Sequence, residues 1–133
     1  MNELWIIDND KRRIKLYKDC LEEEGLLDKL RIKQFNVLAE AYEKVGTPDF
    51  ILIDTTSIMG GVTIYGCFDT AVSICRSFAK KHTSANICIQ SAVKRWAEDI
   101  VEDIKIDFED CVVEAIEADG SEFIKWIKKY MEK

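Results

Sequence analysis

No apolar run in this sequence approaches the length needed to span a bilayer, and its first residues lack the basic-then-apolar layout of a signal peptide. No membrane partner and no export are therefore expected. There is no CxxC pair, and the cysteines at 20, 67, 75, 88 and 111 show no close spacing. Their odd total argues against a complete disulfide framework, and several fall on expected apolar faces. Buried free thiols in a reducing compartment follow, which makes the cytoplasm the expected location. Histidine occurs once, as His82, in a polar turn on the amino side of an expected strand, the wrong end of a sheet for chemistry. The GxxxxGK[ST] phosphate loop is absent, and no glycine-rich dinucleotide fingerprint follows the first strand. Basic charge is not in excess either. A net charge of −6 argues against nucleic acid as a partner of this chain alone, and Lys11-Arg-Arg13 reads as a helix surface. No repeat, linker or low-complexity tract divides the chain, so residues 1–133 read as a single domain.

What is present is a soluble composition, 47% hydrophobic and 33% charged, with a regular alternation of short apolar runs and helical stripes. The run Asp49-Phe-Ile-Leu-Ile-Asp54 follows a Gly46-Thr-Pro48 turn and stops on a carboxylate. It is too short for a globular helix and fits a strand buried on both faces, as in a parallel sheet covered by helices. Leu4-Trp-Ile-Ile-Asp8 has the same form, and Asn86-Ile-Cys-Ile-Gln-Ser91 is a wetter version. Arg31-Ile-Lys-Gln-Phe35 alternates polar and apolar, which suits a strand nearer an edge.

Helical stripes fill the gaps. Ile14, Tyr17 and Leu21 mark a first helix over 11–24, capped by Asp10 and stopped by Gly25. A short second helix is expected over 37–45 with Asn36 as its cap. Phe68 to Ala79 carries a third and Val93 to Ile104 a fourth, and Phe123, Ile127 and Tyr130 mark the last, capped by Asp119 or Ser121. Thr55 to Gly66, rich in glycine and hydroxyls, reads as a long loop at the site edge. The fifth strand has two readings, 111–116 or 104–108. The fold class is thus α/β, a compact three-layer sandwich with helices on both faces of a five-stranded sheet.

Strands that end on Asp8, Asp54 and Ser91 bring those groups to the carboxyl edge of the sheet, where open α/β folds place their chemistry. A site is expected from Asp8, Asn9, Asp10, Asp54 and Ser91. The arrangement resembles the receiver domain of bacterial two-component response regulators over essentially the whole chain. The motifs that carry the likeness are Asp8-Asn9-Asp10 ending strand one, Asp54 ending strand three and Ser91-Ala92 ending strand four. That resemblance implies a parallel sheet of strand order 2-1-3-4-5 and phosphoryl transfer from a histidine kinase, or a link to another signalling protein. It makes Asp54 the phosphoacceptor and Ser91 the hydroxyl that contacts the phosphoryl oxygens. It also implies a magnesium ion held by Asp8, Asp10, Asp54 and the Thr56 carbonyl. The physical need is plain: an anionic carboxylate attacks an anionic phosphoryl group only where a cation neutralises charge on both.

Several positions depart from the family pattern, among them Ile58 and Ile116 where the family carries prolines. Asn9 is an amide where the second acidic residue stands, Glu114 is expected in place of the lysine at the end of strand five, and Cys111 takes the place of the aromatic switch residue. A glutamate there adds negative charge where the family supplies positive. Two alternatives follow. One is a degenerate receiver that acts as a phosphorylation-independent protein-interaction module. The other rests on Ile6-Ile-Asp-Asn-Asp10, which also resembles the opening of haloacid-dehalogenase-like phosphatases, with Asp8 as nucleophile and Asp10 as acid/base. That family leaves Asp54 unused.

Overall fold

The structure, a computed structural model, describes residues 2–59, 68–107 and 111–131. Five strands, β1 (Asn2–Ile7), β2 (Leu30–Phe35), β3 (Phe50–Asp54), β4 (Asn86–Ser91) and β5 (Val112–Glu117), pair in the order β2-β1-β3-β4-β5. Every pairing is parallel. The helices are α1 (Lys11–Glu23), α2 (Leu38–Tyr42), α3 (Phe68–Lys81), α4 (Lys94–Asp107) and α5 (Gly120–Met131).

Burial follows directly from the pattern of side chains. All five residues of β3 are buried, because both faces of the middle strand are covered. Odd residues of β1, Trp5 and Ile7, join Ile51, Ile53, Ile87 and Ile89 in a core roofed by α2, α3 and α4. Even residues, Leu4 and Ile6, join Phe50, Leu52 and Cys88 under α1 and α5. The period of two along each strand thus sorts the apolar residues into two layers, one on each side of the sheet. At the edge, β2 keeps only Leu30 and Phe35 buried, as its alternation foretold.

The two readings of the fifth strand are resolved in favour of the later one. Ile104 is fully buried as the last turn of the stripe Ala97, Ile100, Ile104 on α4, so it is not free to start a strand. The strand lies one residue beyond the 111–116 reading. The second helix is shorter than expected. It ends at Tyr42, and Val45 is 98% exposed rather than part of the stripe. Asn36 does not cap it: Val37 stands at the cap with no side-chain hydrogen bond. Gly25 adopts φ 69 just past α1, the left-handed geometry that stops a helix cheaply only with glycine. His82 is not in a solvated turn. It is buried against Trp5 and Phe78, with ring centroids 5.3 and 4.7 Å away. Four cysteines, Cys20, Cys75, Cys88 and Cys111, are free thiols. Cys67, Phe108 and the loop segment 60–66 lie outside the described residues. No helix among the described residues is long and apolar enough to cross a membrane.

Candidate functional site

The register sets the site. Ile7 of β1 pairs with Ile53 of β3, so Asp8 and Asp54 emerge side by side, and Asp54 pairs with Gln90 of β4. Both carboxylates are buried, Asp8 at 1% and Asp54 at 2% exposure. Such charges need partners, since a buried unpaired carboxylate is far costlier than a buried hydrogen-bonded one.

Asp8 has a full set. Its Oδ1 accepts the Asp10 amide at 2.9 Å, and its Oδ2 accepts Arg13 Nε at 2.8 Å and Gln90 Nε2 at 2.9 Å. Gln90 is fully buried, and its Oε1 accepts the hydroxyl of Tyr17. A continuous chain of donors and acceptors therefore runs from α1 through β4 to the end of β1 and back to α1. Burial raises the pKa of Asp8 above the usual carboxylate value, and the nearby Asp54 adds to it; the Asp10 amide and Arg13 pull the other way. Burial likewise pushes Tyr17 upward, so its hydroxyl stays a donor.

Asp10 caps α1, accepting the amides of Arg12 and Arg13 at 3.0 and 3.2 Å. Asp54 is followed by a tight turn, Thr55–Ser57, and its Oδ2 accepts both the amide (3.2 Å) and the hydroxyl of Thr56. The amide of Asn9 donates to Ser57 Oγ at 3.1 Å, which ties the two loops together. Ser91 is buried beside them, and its Oγ accepts the Val93 amide at 3.1 Å.

Arg13 decides the electrostatics. Beyond the 2.8 Å contact to Asp8, its Nη2 lies 3.5 Å from Asp8 Oδ1, 3.5 Å from Asp10 Oδ2 and 3.7 Å from Asp54 Oδ1. Burial alone would lower the guanidinium's pKa, but Asp54 and Asp8 outweigh it and the net shift is upward, so it is a fixed positive charge. Sequence reasoning took Arg13 for a helix surface. It also passed over Gln90 and the polar end of Tyr17. The signal for Gln90 was an amide inside an otherwise apolar strand, which must find a buried partner.

Glu114 is not in this site. It pairs in register with Cys88, two positions below the level of Asp54 and Gln90, and its carboxylate accepts Lys129 Nζ at 2.9 Å and the Tyr130 hydroxyl. Burial pushes its pKa up, yet these two hydrogen bonds bring the net shift down. The strand continues past it, and the residue that pairs with Ser91 at the end of β5 is Glu117. Family spacing put the lysine position at Glu114, in the middle of a strand that runs on to Glu117, so that spacing does not carry over to this strand. Cys111 is a buried residue just before β5, far down the strand from Asp54.

The magnesium implied by the receiver likeness does not fit the arrangement. Both oxygens of Asp8 already accept hydrogen bonds, and Asp10 spends an oxygen on the helix cap. A guanidinium nitrogen stands between the three carboxylates. Among the described residues, no group of three or more His, Cys, Asp or Glu side chains is disposed to hold a metal ion. The phosphatase reading meets the same obstacle, since its nucleophile and acid/base would be the ion-paired Asp8 and the capping Asp10.

No protein-family model matches this sequence, and no curated protein sequence matches it. Solved structures do. A response regulator from Thermotoga maritima superimposes with a TM-score of 0.68 at 12% identity, covering 100% of this chain and 99% of that one. The fold is that of the response regulators. DrrB, an OmpR/PhoB homologue from the same organism, gives 0.67 at 14% identity over 99% of this chain and 53% of its own length. A response regulator from Burkholderia pseudomallei, solved with a phosphorylated aspartic acid, a calcium ion and citrate, gives 0.56 at 14% identity, covering 100% of this chain and 75% of that one. At such identities the likeness is one of fold, and the site must be read from its own side chains.

Proposed function

We propose that this chain is a signalling protein-interaction module on the receiver fold, cytoplasmic, which engages a partner protein without phosphoryl transfer to Asp54. The observation that carries this reading is the charge content of the pocket. Its cation is Arg13, pinned to Asp8 at 2.8 Å, and the residue opposite Ser91 at the end of β5 is Glu117. A phosphoryl group arriving at Asp54 would meet the carboxylates of Asp8 and Asp10 with one guanidinium to offset them. Anion transfer needs the opposite balance, a surplus of positive charge aimed at the equatorial oxygens. The likeness to response regulators supports a signalling role, and the tied network around Asp8 supports a fixed conformation rather than a switching one.

The competing reading is transfer from a histidine kinase to Asp54. In its favour, among the described residues Asp54 Oδ1 has only the 3.7 Å approach of Arg13, too long for a hydrogen bond. One experiment separates the two. The protein is incubated with magnesium and acetyl phosphate, then with magnesium and beryllofluoride, and followed by intact mass and amide NMR. The expected result is no adduct and unmoved amides at 8, 54 and 91. An adduct lost on Asp54→Asn would establish the kinase reading instead. Any partner found is expected to bind wild type and Asp54→Asn equally.

A further inference from the structure

We infer that Arg13 is a resident cation: its guanidinium takes the position between Asp8, Asp10 and Asp54 that a divalent ion would need, and it closes the pocket to such ions for as long as it is there. The inference rests on the same pocket as the proposed function but makes a separate claim, about metal rather than phosphate.

The placement of one atom carries it. Nη2 of Arg13 lies within 3.5–3.7 Å of an oxygen from each of the three carboxylates, while Nε holds the fourth oxygen, Asp8 Oδ2, at 2.8 Å. A magnesium ion bound by these groups would need their oxygens at about 2.0–2.1 Å around one point. At 3.5–3.7 Å from Nη2 the oxygens stand around the guanidinium and not around such a point, and they could close in on an ion only if that nitrogen and its charge moved out.

The fold delivers the guanidinium there by construction. Asp10 fixes the first turn of α1, and side chains on a helix lean back toward its amino end. A long side chain three residues after the cap therefore runs back over Asp10 toward the end of β1. Behind Asp8, Gln90 and Tyr17 prevent the carboxylate from turning away. The arginine side chain is 20% exposed, so its outer edge meets solvent while its donors face inward. Arginine suits this better than lysine would, because its planar fork reaches several acceptors at once and carries its charge at any working pH.

Once Arg13 is removed, the same residues present three carboxylates with no compensating charge, two of them buried. As they stand, no three acidic side chains among the described residues are disposed to hold an ion, so binding requires these oxygens, of the type a hard dication takes, to close in once the guanidinium is gone. The test uses the full chain as wild type, Arg13→Ala and Arg13→Gln, titrated with Mn2+ and Mg2+ by calorimetry and by paramagnetic broadening of amide signals. Wild type is expected to show no selective broadening at residues 8–10 and 54–56. Arg13→Ala is expected to bind, with broadening centred on those residues and on the order of thirtyfold or more tighter than any wild-type binding, even where the pocket screens like water. Arg13→Gln, whose amide can still donate to Asp8, is expected to fall between them.

Selective broadening around Asp8 and Asp54 in wild type would overturn the inference, and so would a folded Arg13→Ala that binds no better than wild type. Where the variants are unfolded without metal, refolding on added Mg2+ supports it and failure to refold overturns it. The phosphodonor experiment fails independently. Manganese in the wild-type pocket with no adduct on Asp54 would sink this inference and leave the interaction module standing.

Discussion

Arg13→Ala leaves Asp8 buried without its charged partner, and breaking such a pair by removing one member costs on the order of 3–5 kcal/mol. Urea unfolding in metal-free buffer should show that loss, and a double-mutant cycle with Asp8→Asn should show strong coupling between the two positions. Tyr17→Phe is a finer probe. It removes only the hydroxyl that donates to Gln90 and leaves a buried amide oxygen unsatisfied, so a loss of about 1–3 kcal/mol is expected from the same measurement. His82 makes a pH prediction. Burial, with Lys81 nearby, lowers its pKa below the ordinary 6.5, and its Nε2 has no hydrogen-bond partner among the described residues. The unfolded chain therefore binds a proton at a pH where the folded one does not. The stability this contributes is complete above 6.5 and is lost as pH falls from there toward the folded value. His82→Phe should flatten the slope of stability against pH in that window, and an unchanged slope would rule the assignment out. At this scale the sequence was only partly legible. Asp8, Asp10 and Asp54 stood out because carboxylates end apolar strands or precede a helix. Arg13 did not, because a basic residue on a helix has the same sequence signature whether it points to water or back over its own cap.

Elements were easier to read, since each is set by a pattern several residues long. The cap at Asp10 was visible in the sequence, and Asp10→Ala should cost about 1 kcal/mol, within the 0.5–2 range for lost caps, read by thermal melting. A contact between helices was not visible. Gly120 opens α5 against α1, and a Cβ built there would stand 2.8 Å from Cys20 Sγ. Gly120→Ala must push the two helices apart or turn the cysteine, a cost of about 1–3 kcal/mol for overpacking. Gly120→Ala combined with Cys20→Ala should recover much of it, which distinguishes crowding from any helix-propensity effect. The short second helix shows where pattern reading stops. Leu38 and Ala41 are buried as the stripe required, but Val45 continues the spacing into solvent. Periodicity tells which residues can face a core, not how far the core extends beneath them.

For the whole molecule, the strand order is the one the receiver resemblance implied, and the burial of the strands agrees with it. Three strongly apolar strands had to be central and one alternating strand had to lie at an edge, and the order β2-β1-β3-β4-β5 satisfies both. The same burial gradient should appear in the dynamics. Amides of β3 are paired on both sides and covered by both layers, while β2 and β5 each have a neighbour on one side and exposed positions along their length. Native-state hydrogen exchange should therefore find β1, β3 and β4 opening only with global unfolding, and β2 and β5 opening at lower free energy. Leu52→Ala, at the centre of the layer beneath α1 and α5, should lower the global limit by about 2–5 kcal/mol and bring all three central strands down together. Arg13→Gln should act differently. Its contacts join the ends of β1 and β3 to α1 and, through Asp8 and Gln90, to β4, so its loss should raise exchange at their carboxyl ends more than at their amino ends. Uniform acceleration along the strands would mean that the pocket merely sits on a sheet that is rigid without it. A gradient along them would mean that the resident charge holds the carboxyl edge in one conformation, as a module that does not switch requires.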